Sequence, residues 1–300
     1  MGPMTTILSI QSSVAYGHVG NSAATFPLMR LGIEVWPVLT VHFSNHTGYG
    51  SWRGPLLAAS DVADVVAGID ERGVLGRVDA VLSGYQGAED VGAAVLRTVE
   101  LVQERNPDAI YCCDPVMGDV GRGFYVRPGI PEFMRDRVVP AARIVTPNHF
   151  ELDFLTGRRT RTLAEVLAAA HALRERGPEV VLVTSVLADD VADAGGTVGE
   201  GPGTDPDTLT MLAVTGEGAW QVVTPRFERT FTGSGDITAA LFLAHYLTSG
   251  GNAAAALGAT ADAVYSVLKH TTDTDSSELA LVAAQEQLVV PSHHFAVTAL

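Results

Sequence analysis

The sequence predicts a three-layer α/β/α fold in which helices cover both faces of a mostly parallel sheet. Short apolar, β-rich segments alternate with helical patterns along the chain, which is typical of a parallel sheet. The 300 residues are 47% apolar, enough for one large core, and no internal repeat or linker divides them, so we expect a single domain over residues 1–300. A hairpin signal at 216–218 lies between two late apolar runs and predicts antiparallel strands in the C-terminal part.

Short apolar runs bounded by turn residues predict strands, and runs with a helical apolar period predict helices. The predicted strands cover residues 6–11, 35–41, 79–84, 109–113, 143–148, 179–185, 209–214 and 219–224. The predicted helices cover residues 21–31, 55–68, 91–104, 130–137, 149–155, 163–176, a run through Asp236, 252–269 and 277–288. The acidic, glycine-rich segment 188–207 is expected to be a flexible insertion, and the tail 291–300 shows no motif.

Composition excludes several classes of protein. No run of 18 apolar residues and no signal-peptide pattern is present, so we expect a cytoplasmic protein without a membrane span. The net charge of -15, without a basic cluster, argues against nucleic-acid binding. Adjacent Cys112 and Cys113 lie in an apolar run and are expected in the core. The only lysine, Lys269, is in no Gly-Lys-Ser/Thr motif, so phosphate must be bound by backbone N–H groups, metal or arginine.

The stretch 231–236 is the strongest candidate for chemistry. Gly233 and Gly235 allow a tight turn, and the apolar run behind them predicts a buried helix with Asp236 in its first turn. The free N–H groups of a helix start favour a phosphate or a developing oxyanion. A carboxylate there can take the proton of an attacking hydroxyl. The alternative is a glycine loop in which Asp236 only caps the helix.

Polar side chains also follow the other predicted strands, whose carboxyl ends meet at one edge of the sheet. Residues 12–20 form a glycine-bearing loop after the first strand, and residues 42–52 combine aromatic, hydroxyl and histidine groups suited to a flat polar ring. The spacing of His42 and His46 also permits metal ligation, but no cysteine or carboxylate joins them nearby. Both loops remain open to the simpler interpretation of ordinary connections.

Acidic residues and a mobile flap are predicted further along the same edge. Asp114 ends the fourth strand, and Glu151 lies in the first turn of the helix after the fifth, so both can face one metal ion. Glycines flank Arg122 in the 119–127 segment, which predicts a flap that closes over phosphate with the arginine as counter-charge. A solvated loop is the alternative for that segment.

Taken in order, these motifs resemble the pyridoxal kinases of the ribokinase-like superfamily over most of residues 6–290. The similarity is carried by residues 9–12, 16–22, 40–47, 83–85, 114–118, 146–152 and 233–236. The glycine motif is shared across the superfamily, whereas the first two loops are typical of the pyridoxal pocket. The resemblance implies transfer of the γ-phosphate of ATP to the 5′-hydroxymethyl group of pyridoxal, and also of pyridoxine and pyridoxamine, in vitamin B6 salvage.

The resemblance also assigns roles to residues of this chain. Asp236 would be the base, the amides of residues 233–235 the anion hole, and Asp114 and Glu151 the groups that organise Mg²⁺. The vitamer ring would contact Ser12, Val19, His46, Thr47 and Tyr85, and the nucleotide would contact Arg122, Asn148, Thr184, Ser185 and Thr232. A homodimer is implied, and a monovalent cation is left open.

Two departures and three alternatives accompany the resemblance. Ser234 replaces the family's usual threonine but keeps a hydroxyl, and residues 118–129 contain no cysteine, so no thiol adduct with the substrate aldehyde is expected. The nearest alternative is a hydroxymethylpyrimidine kinase of thiamine synthesis, which shares the architecture and a ring hydroxymethyl group. A sugar kinase is less compatible with the aromatic 42–52 loop. A non-catalytic vitamer-binding module would not need Asp236 with both glycines.

Overall fold

The computed structural model describes residues 4–187 and 207–300 of the chain. The strands are β1 (Thr6–Val14), β2 (Glu34–Phe43), β3 (Ala80–Ser83), β4 (Ile110–Cys113), β5 (Gly118–Asp119), β6 (Gly123–Phe124), β7 (Ile144–Val145), β8 (Val180–Val186), β9 (Thr208–Val214), β10 (Ala219–Pro225) and β11 (Val297–Ala299). The α-helices are α1 (Asn21–Arg30), α2 (Ala59–Asp70), α3 (Glu89–Arg105), α4 (Ile130–Phe133), α5 (Val139–Ala141), α6 (His149–Thr156), α7 (Leu163–Arg174), α8 (Ser234–Thr248) and α9 (Ala253–Asp273). The predicted insertion 188–207 lies outside the described residues except for Asp207.

The described strands form one large sheet and one small hairpin. The large sheet has nine strands in the order β11-β10-β9-β8-β7-β4-β3-β1-β2, and β5 pairs with β6. Pairing is parallel from β2 to β8 and antiparallel from β8 to β11. The prediction of a mostly parallel sheet with antiparallel strands near the C-terminus is therefore confirmed.

Helices cover both faces of the large sheet. Alternate strand residues face opposite sides, so Leu8 and Cys113 join the core beneath α2, α3, α6 and α7, whereas Ile7 and Cys112 join the core beneath α1, α8 and α9. Both cysteines are fully buried and free, as the apolar run predicts. None of the described helices is long and apolar enough to cross a membrane.

Several predicted strands differ in length from the observed ones, and in two of them the difference affects the residues at the carboxyl end. The first continues to Val14, so Ser12 lies in β1 rather than in a loop; the pairing with β2 shifts register between Gln11 and Ser13. A β-bulge of this kind re-aims a side chain near a site. The strand predicted over 143–148 is regular only at Ile144–Val145, because Pro147 has no N–H group and Asn148 already caps α6.

The predicted helix 55–68 is shifted towards the C-terminus. Residues 55–57 run beside the end of β2 instead: Pro55 accepts the N–H of His42 at 3.0 Å, and Leu57 donates to Thr40 at 3.1 Å. The helix begins only at Ala59, where the Asp61 carboxylate accepts the N–H of Ala58 at 2.9 Å. Pairing with β2 therefore outweighs the helical apolar period of these residues.

Residues 277–300 differ most from expectation. The predicted helix 277–288 is wrong: the chain makes bends and turns there, with a short 3₁₀ turn at Gln285–Leu288. Its apolar residues Leu279 and Leu281 are buried against α8 and α9 without helical periodicity. The segment 291–300, which shows no sequence motif, ends in β11, whose residue Val297 pairs with Val222 at the sheet edge.

Candidate active site

Polar residues from neighbouring parallel strands meet at the carboxyl edge of the sheet. Strands β1, β3, β4, β7 and β8 are adjacent, and each of them ends at this edge. The residues at or just beyond these ends are Ser12, Tyr85, Asp114, Thr146, Thr184 and Ser185. These residues, which span positions 12–185 of the sequence, thus lie along one rim of the sheet, and all of them except Thr146 were predicted site residues.

The glycine turn at the start of α8 is the candidate anion site. Gly233 has a φ of 88°, and a β-carbon there would lie 1.9 Å from the carbonyl oxygen of His18. The Ser234 hydroxyl donates to the Phe231 carbonyl at 2.8 Å, which closes the turn. The amides of Gly235 and Asp236 lie in the first helical turn, where no earlier carbonyl of the helix can accept them. The N–H of Ser234 already donates to the Phe231 carbonyl at 3.2 Å, and the predicted anion hole of residues 233–235 stays a prediction.

Asp236 is held against the loop between β1 and α1. The carboxylate accepts the backbone N–H of Gly20, and Gly20 has a φ of 52°. A β-carbon on Gly20 would lie 2.3 Å from the carbonyl oxygen of Ser12, so glycine is required for this approach. Burial raises the pKa of Asp236 to about 6, although N–H groups of Gly20 and Asp236 itself favour the charged form. A carboxylate with this pKa is suited to accept a proton near neutral pH.

Asp114 is a buried carboxylate beside two others. Its Oδ1 accepts the Thr146 hydroxyl at 3.0 Å, and its backbone N–H donates to Ser83 at 2.8 Å. Burial, and then the negative charges of Glu151 and Asp236, raise the pKa of Asp114 well above its ordinary value. Such mutual repulsion among carboxylates is relieved when a cation binds between them.

Glu151 joins the residues at the start of the flap, Met117 and Gly118, to the N-terminus of helix α6. Its Oε1 accepts the N–H groups of Met117 at 2.9 Å and Gly118 at 3.4 Å, and its Oε2 accepts that of Asn148 at 3.0 Å. Burial raises the pKa of Glu151 to about 8, against these three hydrogen bonds, which favour the charged form. Both oxygens therefore have backbone partners, and Glu151 is less available to a metal than Asp114.

The predicted flap is a short β-hairpin, β5–β6. The side-chain amide of Asn148 donates to Gly118 at 2.8 Å, and Phe124 packs edge-on against Phe150 at 5.0 Å. Arg122 is exposed, and its guanidinium lies 5.7 Å from the Tyr125 ring centre. The amide of Asn148 thus holds the flap in this structure, and Arg122 contacts an aromatic ring of its own hairpin.

Tyr125 directly follows the flap strand β6, and the residue is 46% exposed. Burial and then the negative charges of Glu151, Asp114 and Asp236 raise the pKa of Tyr125, so its phenol remains protonated. Sequence analysis did not single out Tyr125, because only its place in the flap marked it.

The predicted ring-binding residues lie near the end of β1 and on the loops after β1, β2 and β3. Ser12 is buried, Val19, His46 and Tyr85 are partly buried, and Thr47 is exposed at the start of a 3₁₀ turn, Thr47–Tyr49. Thr40 donates its hydroxyl to the Tyr85 carbonyl at 2.7 Å, which fixes the turn after β3. Burial raises the pKa of Tyr85, so the phenol remains a donor.

The predicted nucleotide residues lie beyond the flap. Thr184 and Ser185 fall where the pairing of β8 with β9 changes register, and both are partly buried. Thr184 donates its N–H to Pro147 at 3.0 Å. Thr232 is exposed just before the glycine turn. Within the described residues, the guanidinium of Arg122 contacts the ring of Tyr125.

Two further residues shape the site without having been predicted. Gly20 supplies a hydrogen bond to Asp236, and its place directly before a helix start is a usable sequence signal. Glu278 contacts the loops after β1 and β2, 260 and 232 residues away in sequence. No local pattern indicates such a contact. Among the described residues, no group of three or more His, Cys, Asp or Glu side chains could hold a metal alone, and the His42–His46 spacing forms no such site.

Comparisons with known proteins agree with this geometry. A phosphomethylpyrimidine kinase family model matches residues 76–281. A pyridoxal kinase, PdxY, of Rubrobacter xylanophilus is 57% identical over 291 residues, covering 97% of this chain and 96% of that protein. PdxY of Leifsonia xyli is 52% identical over 292 residues, covering 97% and 98%. A Leishmania donovani pyridoxal kinase structure with ADP and ginkgotoxin is 31% identical, covers 99% of both chains and has a TM-score of 0.88.

A helix-start anion site with a carboxylate beside it, at the carboxyl edge of a ribokinase-like sheet, defines a kinase that phosphorylates an alcohol group. The similarities to known proteins reported above identify the family of this kinase. The chain belongs to the pyridoxal kinase family, within the group described by the phosphomethylpyrimidine kinase model. The resemblance predicted from the sequence motifs is therefore confirmed.

Proposed function

We propose that this protein transfers the γ-phosphoryl group of ATP to the 5′-hydroxymethyl group of pyridoxal, and also of pyridoxine and pyridoxamine. The position of Asp236 carries the proposal, because its carboxylate lies in the first turn of α8, close to the N–H of Gly20 and to the start of the helix. Related Leishmania donovani structures contain ADP with pyridoxamine or pyridoxine, at 30% identity. A nucleotide and a vitamer are therefore found together in structures of a relative of nearly the same length.

The chemistry follows from the positions of these groups. The hydroxymethyl oxygen attacks the γ-phosphorus, the bond from that phosphorus to the β,γ-bridging oxygen breaks, and ADP leaves. Asp236 accepts the hydroxyl proton, and its pKa of about 6 leaves it mostly charged at neutral pH while close enough to that pH for efficient transfer. The amides of residues 233–235 stabilise negative charge on the transferred group, a contribution of about 2.7–4 kcal/mol for one such donor.

Mg²⁺ fits the donor set at the rim. Thr146 uses one oxygen of Asp114, and within the described residues the second oxygen accepts no hydrogen bond. Mg²⁺ is usually held by one or two carboxylates together with substrate phosphates, so a site without three protein ligands is suitable. We propose Asp114 as its main protein contact, with Glu151 acting through water or through the loop it clamps. When bound, Mg²⁺ neutralises phosphate charge during transfer.

The remaining predicted contacts complete the proposal. Ser12, Val19, His46, Thr47 and Tyr85 line the ring side, and Asn148, Thr184, Ser185 and Thr232 line the nucleotide side. Arg122 approaches phosphate only if the β5–β6 hairpin moves and its contact with Tyr125 is exchanged for one with phosphate. The homodimer and cytoplasmic location implied by the family are proposed on the resemblance, and light scattering in solution tests the first.

A hydroxymethylpyrimidine kinase is the second candidate, because the matching family model is described as phosphomethylpyrimidine kinase. The deciding experiment compares ATP-dependent, Mg²⁺-dependent product formation from pyridoxal, pyridoxine, pyridoxamine and hydroxymethylpyrimidine under the same conditions. We expect preferential conversion of pyridoxal to its 5′-phosphate. Turnover of the pyrimidine alone would contradict the assigned ring pocket, and tight pyridoxal binding without turnover would favour the non-catalytic module.

A further inference from the structure

Glu278 is a buried carboxylate that connects distant parts of the ring-binding side. Its side chain is 10% exposed. Oε1 accepts the hydroxyl of Tyr49 at 2.6 Å and lies 3.1 Å from Nε2 of His46, while Oε2 accepts the backbone N–H of His18 at 3.2 Å. One side chain therefore holds the loop after β1 and the loop after β2 together.

The surrounding backbone is shaped to admit this carboxylate. Gly17 has a φ of 93°, and a β-carbon there would lie 2.4 Å from Oε2 of Glu278. The next residue, Leu279, is buried, and its Cδ1 would lie 3.3 Å from a β-carbon on Gly233. Glu278 and Leu279 thus join the ring loops to the glycine turn before α8.

The hydrogen bonds also determine which nitrogen of His46 carries a proton. An ionised carboxylate only accepts hydrogen bonds, so Nε2 of His46 is the donor towards Glu278. In a neutral imidazole this leaves Nδ1 as an acceptor. Nδ1 is buried and has no hydrogen-bond partner among the described residues. The hydrogen bond to Glu278, more than any other cause, raises the pKa of Tyr49 to about 12, so Tyr49 remains a donor.

We propose that Glu278 is a positioning residue for the vitamer site: it fixes the Nε2-protonated form of His46 so that Nδ1 accepts a hydrogen bond from a hydroxyl-bearing heteroaromatic substrate. The inference rests on the proposed kinase function. It assigns Glu278 to recognition of the vitamer and not of ATP, because its three partners all belong to the ring-side loops.

Glu278→Ala and Glu278→Gln test the assignment by steady-state kinetics. For Glu278→Ala we expect the KM for pyridoxal to rise by up to about tenfold, the upper end of the range for one lost hydrogen bond between neutral groups, with kcat and the KM for ATP nearly unchanged. Glu278→Gln should be intermediate, because its amide oxygen still accepts from His46 or Tyr49 but its NH₂ group meets the His18 N–H.

A matched control is available on helix α9, at a carboxylate that contacts the C-terminal segment instead of the ring-side loops. Asp262 likewise contacts a histidine, His294, at 2.7 Å and accepts a backbone N–H, from Phe295, at 2.9 Å. Asp262→Asn removes a comparable carboxylate near the C-terminal strand, and we expect its kinetic constants to equal those of the unaltered protein.

A spectroscopic measurement separates positioning from general stability. In ¹⁵N-histidine NMR spectra we expect His46 to be protonated at Nε2 in the unaltered protein and to lose that preference in Glu278→Ala. An unchanged pyridoxal KM in both Glu278 variants, or an unchanged His46 tautomer, would overturn the assignment. If Glu278→Ala does not fold, Glu278→Gln alone decides. If the unaltered protein has no pyridoxal turnover, the proposed function fails, while the tautomer still tests the hold of Glu278 on His46.

Discussion

Gly233→Ala tests the anion site through a single added carbon. Gly233 has a φ of 88°, and the new β-carbon would lie 1.9 Å from the His18 carbonyl oxygen. Real β-carbons essentially never approach backbone oxygen so closely, so either the loop after β1 or the glycine turn must move. That loop contains Gly20, whose N–H group holds Asp236. The substitution therefore shifts the glycine turn relative to the loop after β1, whose Gly20 N–H lies against the Asp236 carboxylate.

Two separable effects determine how far the free energy of unfolding and kcat fall in Gly233→Ala. A left-handed conformation costs a non-glycine residue about 1–2 kcal/mol, which lowers the free energy of unfolding. Loss of one oxyanion-hole donor lowers kcat by about 10²–10³, equivalent to about 2.7–4 kcal/mol in the activation free energy. We expect kcat of Gly233→Ala to fall within that range, and the free energy of unfolding to fall by more than the conformational term because the clash adds to it.

Gly32→Ala is the matched control, because Gly32 has a φ of 81° but no heavy atom within 4 Å of the position of a new β-carbon. Gly32 lies just after the end of α1, so Gly32→Ala has the cost of a left-handed alanine without a steric clash. Steady-state kinetics and chemical denaturation of both variants provide the test. The reasoning would be refuted if Gly233→Ala kept kcat within about a factor of three of the unaltered protein, well short of the loss of one donor.

Four other predictions concern Asp236, Asp114 and Arg122. Because the pKa of Asp236 is about 6, kcat/KM should fall about tenfold per pH unit below that value; a profile flat down to about pH 4, the ordinary aspartate range, would contradict it. The same raised pKa means that the contribution of Asp236 to stability is complete below about pH 4 and is lost as pH rises through about 6, so Asp236→Asn should raise the melting temperature at pH 7. Chelation of Mg²⁺ should abolish turnover, and Asp114→Asn should raise the Mg²⁺ concentration for half-maximal rate; an unchanged requirement would remove Asp114 from the metal site. Arg122→Ala should lower kcat/KM without changing the melting temperature, because the side chain is exposed; an unchanged kcat/KM would show that the arginine is idle.

The mostly parallel sheet and its antiparallel C-terminal strands could be predicted from the sequence, whereas the order of the strands in the sheet was not predicted. Parallel strands bury both faces, so their apolar runs are continuous and easy to find, and their polar carboxyl ends are marked by residues such as Asp114. The glycine turn before α8 was also visible, because Gly233 requires a positive φ and the buried helix behind it has no break.

Tertiary contacts explain what local patterns missed. Residues 277–288 contain enough apolar groups for a helix, yet the hydrogen bonds of Glu278 to two distant loops favour an irregular path. Ser12 lies in a strand because β2 continues beside it, and Pro55 pairs with β2 before the helix begins. Each difference depends on a partner far away in sequence, which periodicity does not contain.

The most direct test of the account compares the unaltered protein with Asp236→Asn, measuring formation of pyridoxal 5′-phosphate at saturating ATP, Mg²⁺ and pyridoxal. We expect the unaltered protein to form the product and the variant to lose about 10²–10⁴ in kcat, the contribution of a general base, while ATP binding is retained. Equal turnover by the two proteins would contradict the central claim that Asp236 accepts the proton of the attacking hydroxyl.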